Sequence, residues 1–302
     1  MGNIITKYKI FDTHLHVGSF GINFMKQREV DIFGERDIKN GDDMRKFMTR
    51  NNISKTIILP HYNADMKYPF VTGNKAVLDI ISSAEHVYGA LWVSPRKELA
   101  EYNNRILECR FEKGESENKL PEKIAAIKLS HNSWPENVTA NPKTWKPNFR
   151  IEMEKILDFA QKHGLVIHLH TASESSIKNA YYQFIREYGE RNNYKLKIQF
   201  VHMGNSAAGI IAFVPRFIEW LQQGYDFYCD TSGAWGFGPE WLVNEMQKRY
   251  SAGLNNILFA SDYPWGNFSA EYHKITGINC DEEIKQKIFW ENAEKLYCRG
   301  FG

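Results

Sequence analysis

Eight short, apolar, β-branched segments recur along this chain, each separated from the next by a longer stretch. That alternation limits the fold more than any other feature. The segments are 8–13 (YKIFDT), 54–60 (SKTIILP), 87–93 (VYGALWV), 124–130 (IAAIKLS), 165–170 (LVIHLH), 196–202 (LKIQFVH), 225–231 (YDFYCDT) and 256–261 (NILFAS). Several are apolar on both faces, as strands of a buried parallel sheet are. The stretches between them carry helical spacing. Phe149, Met153, Ile156, Leu157 and Ala160 form one stripe, with Gly164 where a C-terminal cap belongs. Ile177, Ala180, Tyr181, Phe184, Ile185 and Tyr188 form a second; Ile284, Ile288, Phe289 and Leu296 form a third, with Asn279 and Glu282 set as a capping box. All three stripes read as core faces. Strand followed by helix, eight times, predicts an α/β fold of the (β/α)8 TIM-barrel type. The alternative is an open doubly wound sheet, which would show a Gly-rich turn after the first strand. Residues 14–21 (HLHVGSFG) do not supply G-x-G-x-x-G.

No Pro/Gly/Ser linker or internal repeat divides the 302 residues, so residues 1–302 read as one domain, within the size range of a barrel. Long loops are expected at 18–41 and 131–149, after the first and fourth strands. Both follow strand C-terminal ends, where a barrel builds its active site. Lys plus Arg is 38 against 36 for Asp plus Glu, so no global field favours nucleic acid or anionic lipid. The four cysteines, Cys109, Cys229, Cys280 and Cys298, form no C-x-x-C pair and read as reduced cytoplasmic thiols. No apolar run approaches the ~20 residues of a membrane span. The opening MGNIIT fits the myristoylation pattern, but no dense basic patch accompanies it.

His14 and His16, in Asp12-Thr13-His14-Leu15-His16, are two apart on a strand and project to the same side. Paired imidazoles facing an apolar interior need something to satisfy their nitrogens, either a divalent ion or hydrogen-bonding neighbours. His168 and His170 repeat the pattern on the fifth strand; His170 ends it, and His168 lies a layer deeper as an interior histidine. His202 ends the sixth strand, and Asp262 follows the eighth in Phe259-Ala260-Ser261-Asp262-Tyr263-Pro264-Trp265. Each alone has an ordinary structural explanation. Together, His14, His16, His170, His202 and Asp262 all fall at strand ends that converge on one rim. Three imidazoles and one carboxylate suit a divalent ion that keeps a water.

The ordered set DTHLHVG, HLHTA, VHMG and FASDYPW, followed by IFWENAEKLY, resembles the amidohydrolase superfamily. The nearest branch is the amidohydrolase-related family that includes aminocarboxymuconate-semialdehyde decarboxylase, a branch of metal-dependent TIM-barrel enzymes. The resemblance implies that His14, His16, His170 and Asp262 are metal ligands. It implies that His202 orients a nucleophilic water in mononuclear relatives or binds a second metal in binuclear ones. Binuclear relatives bridge two metals from the fourth strand, where this chain has Lys128; an interior or salt-bridged lysine is preferred, and with it a single metal. Zinc comes first, with manganese, iron or cobalt as alternatives.

The expected mechanism has a metal-activated water, Asp262 accepting its proton and His202 bonding the water or polarising a substrate carbonyl. The expected function is hydrolysis of a small ester, lactone or amide. The alternative is non-oxidative decarboxylation of an aromatic or unsaturated carboxylic acid at the same site. A TatD-like nuclease or a non-catalytic metal-binding barrel are lesser alternatives; the first would want a fourth-strand glutamate and a basic rim. The expected partner is a small-molecule substrate, with no nucleic acid and no membrane, and a homodimer is an option. Candidate specificity residues are Arg28, Arg36, His61, Asn63, Trp92, His131, Trp134, Ser232, Trp235, Tyr263 and Trp265.

Overall fold

The computed structural model describes residues 6–18, 37–61, 69–95, 100–109, 119–130, 141–171 and 182–297. Most of the two long loops, the N-terminal five residues, and Arg28, Arg36, Asn63, His131, Trp134 and Cys298 lie outside them. The strands are β1 (Ile10–Val17), β2 (Ile53–Pro60), β3 (Val87–Trp92), β4 (Ile124–Leu129), β5 (Val166–His170), β6 (Lys197–Val201), β7 (Phe227–Asp230) and β8 (Ile257–Leu258). The helices are α1 (Gly41–Asn51), α2 (Pro69–Ser83), α3 (Ala100–Leu107), α4 (Pro147–Lys162), α5 (Tyr182–Arg191), α6 (Ala207–Gln222), α7 (Phe237–Arg249), α8 (Phe268–Thr276), α9 (Glu282–Gln286) and α10 (Asn292–Tyr297). A π-helical turn, Lys287–Glu291, joins the last two.

All strands pair in parallel in sequence order, β1 to β8. The circle closes where β1 meets the chain beyond β8: Thr13 N donates to Phe259 O at 3.1 Å, Asp262 N to His14 O at 2.8 Å and His16 N to Tyr263 O at 2.7 Å. This is the expected (β/α)8 barrel. The eighth strand is shorter than the sequence reading because residues 259–263 bond to β1 through an irregular ladder. The first strand is longer, running on to Val17. The capping box does not form: Asp281 is the N-cap of α9 and makes no side-chain cap bond.

The period of two along each strand divides the core. Ile10, Leu15, Ile58, Leu91, Ile127, Ile167, Phe200 and Phe259 face the helices. Phe11, Ile57, Leu59, Ala90, Ala126, Val166, Tyr228 and Leu258 face inward and meet Ala293, Leu296 and Tyr297 of α10, which plugs the barrel floor. The Phe11 ring lies 6.3 Å from Tyr88, 5.9 Å from Trp290 and 5.8 Å from Tyr297, centroid to centroid.

β1 breaks its own alternation. Asp12 pairs with Thr56 and Leu15 with Ile58, so three steps on β1 match two on β2. The extra residue is a β-bulge. Below it Phe11 points inward; above it His14 and His16 do. A regular strand would have turned Thr13, Leu15 and Val17 to the interior instead.

No helix among the described residues is long and apolar enough to cross a membrane. The segment before β1 is tied to α9: Glu282 accepts from Lys7 Nζ and from the Tyr8 hydroxyl, each at 2.5 Å.

Two predictions follow from these contacts. Tyr297 Oη bridges His168 Nε2 at 2.6 Å and Gln199 Oε1 at 2.5 Å inside the barrel. Tyr297→Phe strands both partners, and urea titration should show a loss of ~1–3 kcal/mol. The Glu282 carboxyl is held down to about 2, from 4.5, chiefly by the Lys7 and Tyr8 bonds. A depressed carboxyl contributes fully above its unfolded value, and the contribution disappears as pH falls through the folded one. The wild type should therefore exceed Glu282→Gln in urea midpoint near pH 7, with the gap closing below about pH 4, and high salt should narrow it.

Candidate metal and active site

The mouth of the barrel collects the polar side chains that the strands deliver. Register places Lys128 beside His168 and His168 beside Gln199 on consecutive strands. Above this layer sit His14, His16, His202 and Asp262, all 8 % exposed or less.

His14 Nε2, His16 Nε2 and Asp262 Oδ1 stand 3.2, 3.3 and 3.4 Å from one another. His16 Nδ1 bonds to the Pro60 carbonyl at 2.7 Å. A carbonyl only accepts, so Nδ1 carries the proton and Nε2 presents a lone pair. Burial would push the Asp262 carboxyl up, but the cluster of imidazoles around it, His202 first and then His14 and His16, outweighs that and holds it well below the usual carboxylate range. An ionised carboxylate and an imidazole lone pair at this spacing repel unless a cation lies between them. Atoms sharing one divalent ion at ~2.1 Å stand about 3.0–3.5 Å apart, and the observed separations match. The donor set therefore fits a divalent ion. Ring nitrogens of His14 and His202 and an Asp262 oxygen also gather within 4.8 Å.

The remaining expected residues are placed as follows. His170 ends β5, half-buried, its ring centroid 5.0 Å from that of His202 and nearly perpendicular to it. His168 is the interior histidine expected, bonded to Tyr297, and its ring stacks on His14 at 6.0 Å. Burial, then Lys128, pushes the His168 pKa well below the ordinary value. Lys128 is buried, its Nζ has no hydrogen bond among the described residues, and burial pushes its pKa down to about 8 against the pull of Asp230 and Asp262.

His61 is buried and stacks on His16 at 5.6 Å with the rings 8° from parallel. Trp92 lies 6.5 Å from the His16 ring, its backbone clamped by Asn74 through two bonds of 2.8 Å. Tyr263 is buried, whereas Trp235 and Trp265 are exposed.

Asp230, Gln199 and Tyr297 were missed in the sequence. Asp230 accepts from Ser232 and from the His202 backbone, and lies 4.0 Å from His14 Nδ1. Its signal was available: it ends the seventh strand as His170 ends the fifth.

Local backbone supports these positions. His202 and Asp262 have φ of 74° and 51°, in the left-handed region, as do Met203 and Asn205 beside His202. Gly233, φ +60°, lies against the His202 ring, and a Cβ there would stand 3.0 Å from Nδ1.

An amidohydrolase family model matches residues 122–299. A search of curated protein sequences finds no match. Among solved structures, a 5-carboxyvanillate decarboxylase from Novosphingobium aromaticivorans, with manganese and 3-methoxy-4-hydroxy-5-nitrobenzoic acid, is 14% identical over 96% of this chain and 97% of that one, TM-score 0.63. A probable 2-pyrone-4,6-dicarboxylic acid hydrolase from Acinetobacter baumannii, with citric acid bound, is 13% identical over 95% and 98%, TM-score 0.61. A 2,6-dihydroxybenzoate decarboxylase from Rhizobium is 13% identical over 96% and 98%, TM-score 0.59. At such identity these likenesses speak to the fold.

Elemental analysis should find about one divalent ion per chain, with His16→Ala and Asp262→Ala losing most of it while keeping the fold by circular dichroism. A ratio near two would make Lys128 a bridge.

Proposed function

Since the chain belongs to the amidohydrolase family, we propose that it is an enzyme that hydrolyses a small ester, lactone or amide through one divalent ion. His14, His16, His170 and Asp262 would hold the ion. The observation that carries this reading is the buried, ionised Asp262 carboxylate lying 3.3 and 3.4 Å from two imidazole nitrogens at the barrel mouth. When bound, such an ion polarises a substrate oxygen and acidifies a water. The imidazole-rich donor set suits zinc first, and manganese, as in the Novosphingobium decarboxylase, second.

The chain's own residues do the rest. Asp262 is ionised and His202 is kept neutral, its pKa lowered by burial against the opposing charges of Asp262 and Asp230. Both are thus in the form that accepts a proton at neutral pH. Trp92, buried 6.5 Å from the His16 ring, helps keep bulk water from the wall of the site.

Decarboxylation is the second reading, favoured by the solved neighbours that are decarboxylases, one of them with manganese bound. Metal-depleted and metal-restored protein should be assayed on a lactone, an aryl ester and a hydroxybenzoate, following both hydrolysis and CO₂ release. Metal-dependent hydrolysis, with His202→Ala losing about 100-fold or more in kcat while retaining its metal, is the expected result. CO₂ release without hydrolysis would replace this reading with the second.

A further inference from the structure

The His202 ring cannot take its direction from β6, because its residue has already left the strand with φ of 74°. What turns the ring lies just after the next strand, β7. Its Nδ1 faces two oxygens of Ser232, the carbonyl at 3.2 Å and the hydroxyl at 3.0 Å. The protons around this cluster can be counted. The carbonyl has none. The Ser232 hydroxyl sends its proton to Asp230 Oδ1 at 2.6 Å, a length typical of O–H···O⁻ bonds. Asp230 Oδ1 also receives the backbone N–H of His202 at 3.2 Å and of Ser232 at 3.1 Å, and Oδ2 receives Gln199 Nε2 at 2.8 Å. Donors converge on this carboxylate from both sides, and none of these partners accepts from it. The Ser232 hydroxyl therefore has only a lone pair left for the histidine, so Nδ1 must donate.

The geometry points to Asp230 and Ser232 as positioning residues that hold His202 in the Nδ1–H tautomer, with Nε2 bare and facing the His14–Asp262 pair. Gly233 leaves the ring its place, since a Cβ at that position would stand 3.0 Å from Nδ1. This inference rests on the reading of His202 as the group that moves a proton, and it narrows that role. A neutral His202 with this tautomer accepts at Nε2 and donates nothing there. It can take the proton of an attacking water: the water O–H bond breaks as its oxygen bonds the acyl carbon, an Nε2–H bond forms, and the imidazolium is held by the Ser232 oxygens and Asp230. The same proton then passes to the leaving oxygen or nitrogen as its bond to the acyl carbon breaks, restoring the neutral ring. Polarisation of a carbonyl by a neutral His202 is excluded. Hydrolysis suits this arrangement, because the ring starts as a proton acceptor.

The test is ¹⁵N NMR of histidine-labelled protein, metal-free and zinc-loaded, with His202→Gln assigning the signal. A protonated Nδ1 and a bare Nε2 are expected; a proton on Nε2 would overturn the proposal. Kinetics supply the second arm. Ser232→Ala should lower kcat by about 10–100-fold with metal stoichiometry unchanged and KM within about threefold, and Ser232→Thr, which keeps the hydroxyl, should recover most of it. Unchanged kcat in Ser232→Ala would overturn the positioning role. The two readings fail separately. Full turnover by His202→Gln would remove the proton-transfer role, while NMR still decides the tautomer.

Discussion

One inserted residue in β1 carries the whole site. The bulge between Asp12 and Leu15 turns His14 and His16 into the barrel while Phe11, below it, stays in the floor. A bulge costs ladder hydrogen bonds, so something must hold it. Asp12 does so: its Oδ1 accepts from His14 N at 3.3 Å and from Ser261 N at 2.9 Å. Burial pushes the Asp12 carboxyl up to about 7, against the lowering effect of those same bonds. One side chain thus fixes both the strand that presents two histidines and the turn that presents Asp262. The seam that closes the barrel and the bulge that aims the histidines are one structure, which explains how His14 and Asp262, 248 positions apart in the chain, meet at 3.4 Å.

The layer beneath the site departs from the branched apolar filling expected of a barrel. Lys128, His168, Gln199 and Asp230 face inward there, and Tyr297 from α10 bonds His168 and Gln199. Buried polar groups are tolerable only when bonded, and here a chain of bonds runs from His168 through Tyr297, Gln199, Asp230 and Ser232 to His202. The floor plug and the rim are therefore mechanically linked: the Tyr297 hydroxyl helps orient the Gln199 amide that in turn holds Asp230. Lys128 stands apart from this chain as a buried cation with no hydrogen bond among the described residues, placed to offset the two carboxylates Asp230 and Asp262.

Much of this was legible in residue order. Short, near-continuous apolar runs mark the eight strands because a parallel barrel buries both faces of each. The rim residues His14, His16, His170, His202 and Asp262 were legible because strand ends converge in a closed barrel, so rank along a strand becomes position in space. Three things were not. The bulge has no marker in DTHLH, since a slip of one residue depends on which partner strand it meets. The brevity of β8 reflects its irregular bonding to β1, a contact across the whole chain. Tyr297 lies on a helical stripe whose spacing gives no hint that the helix closes the barrel floor.

Four non-glycine residues beside the site, His202, Met203, Asn205 and Asp262, occupy the left-handed region. Each such position costs of the order of 1 kcal/mol for an L-residue, so it persists only where neighbours over-determine it. They do here. Asp262 is pinned by its N–H to His14 O at 2.8 Å and by its own carbonyl, which accepts from Gly266 N at 2.8 Å. The turn after His202 is pinned by Asn205 N to the His202 carbonyl at 2.8 Å and by Gly204 N to Thr171 Oγ1 at 2.8 Å. The chain thus bends sharply at the two points where an extended strand would have carried a carboxylate and an imidazole past the rim. Bending there keeps both side chains over the mouth of the barrel, on backbone fixed by β1 and β5 instead of on free loops. A site built this way holds its geometry before any ligand arrives, which is the condition under which fixed charges and lone pairs act most strongly on a reacting group.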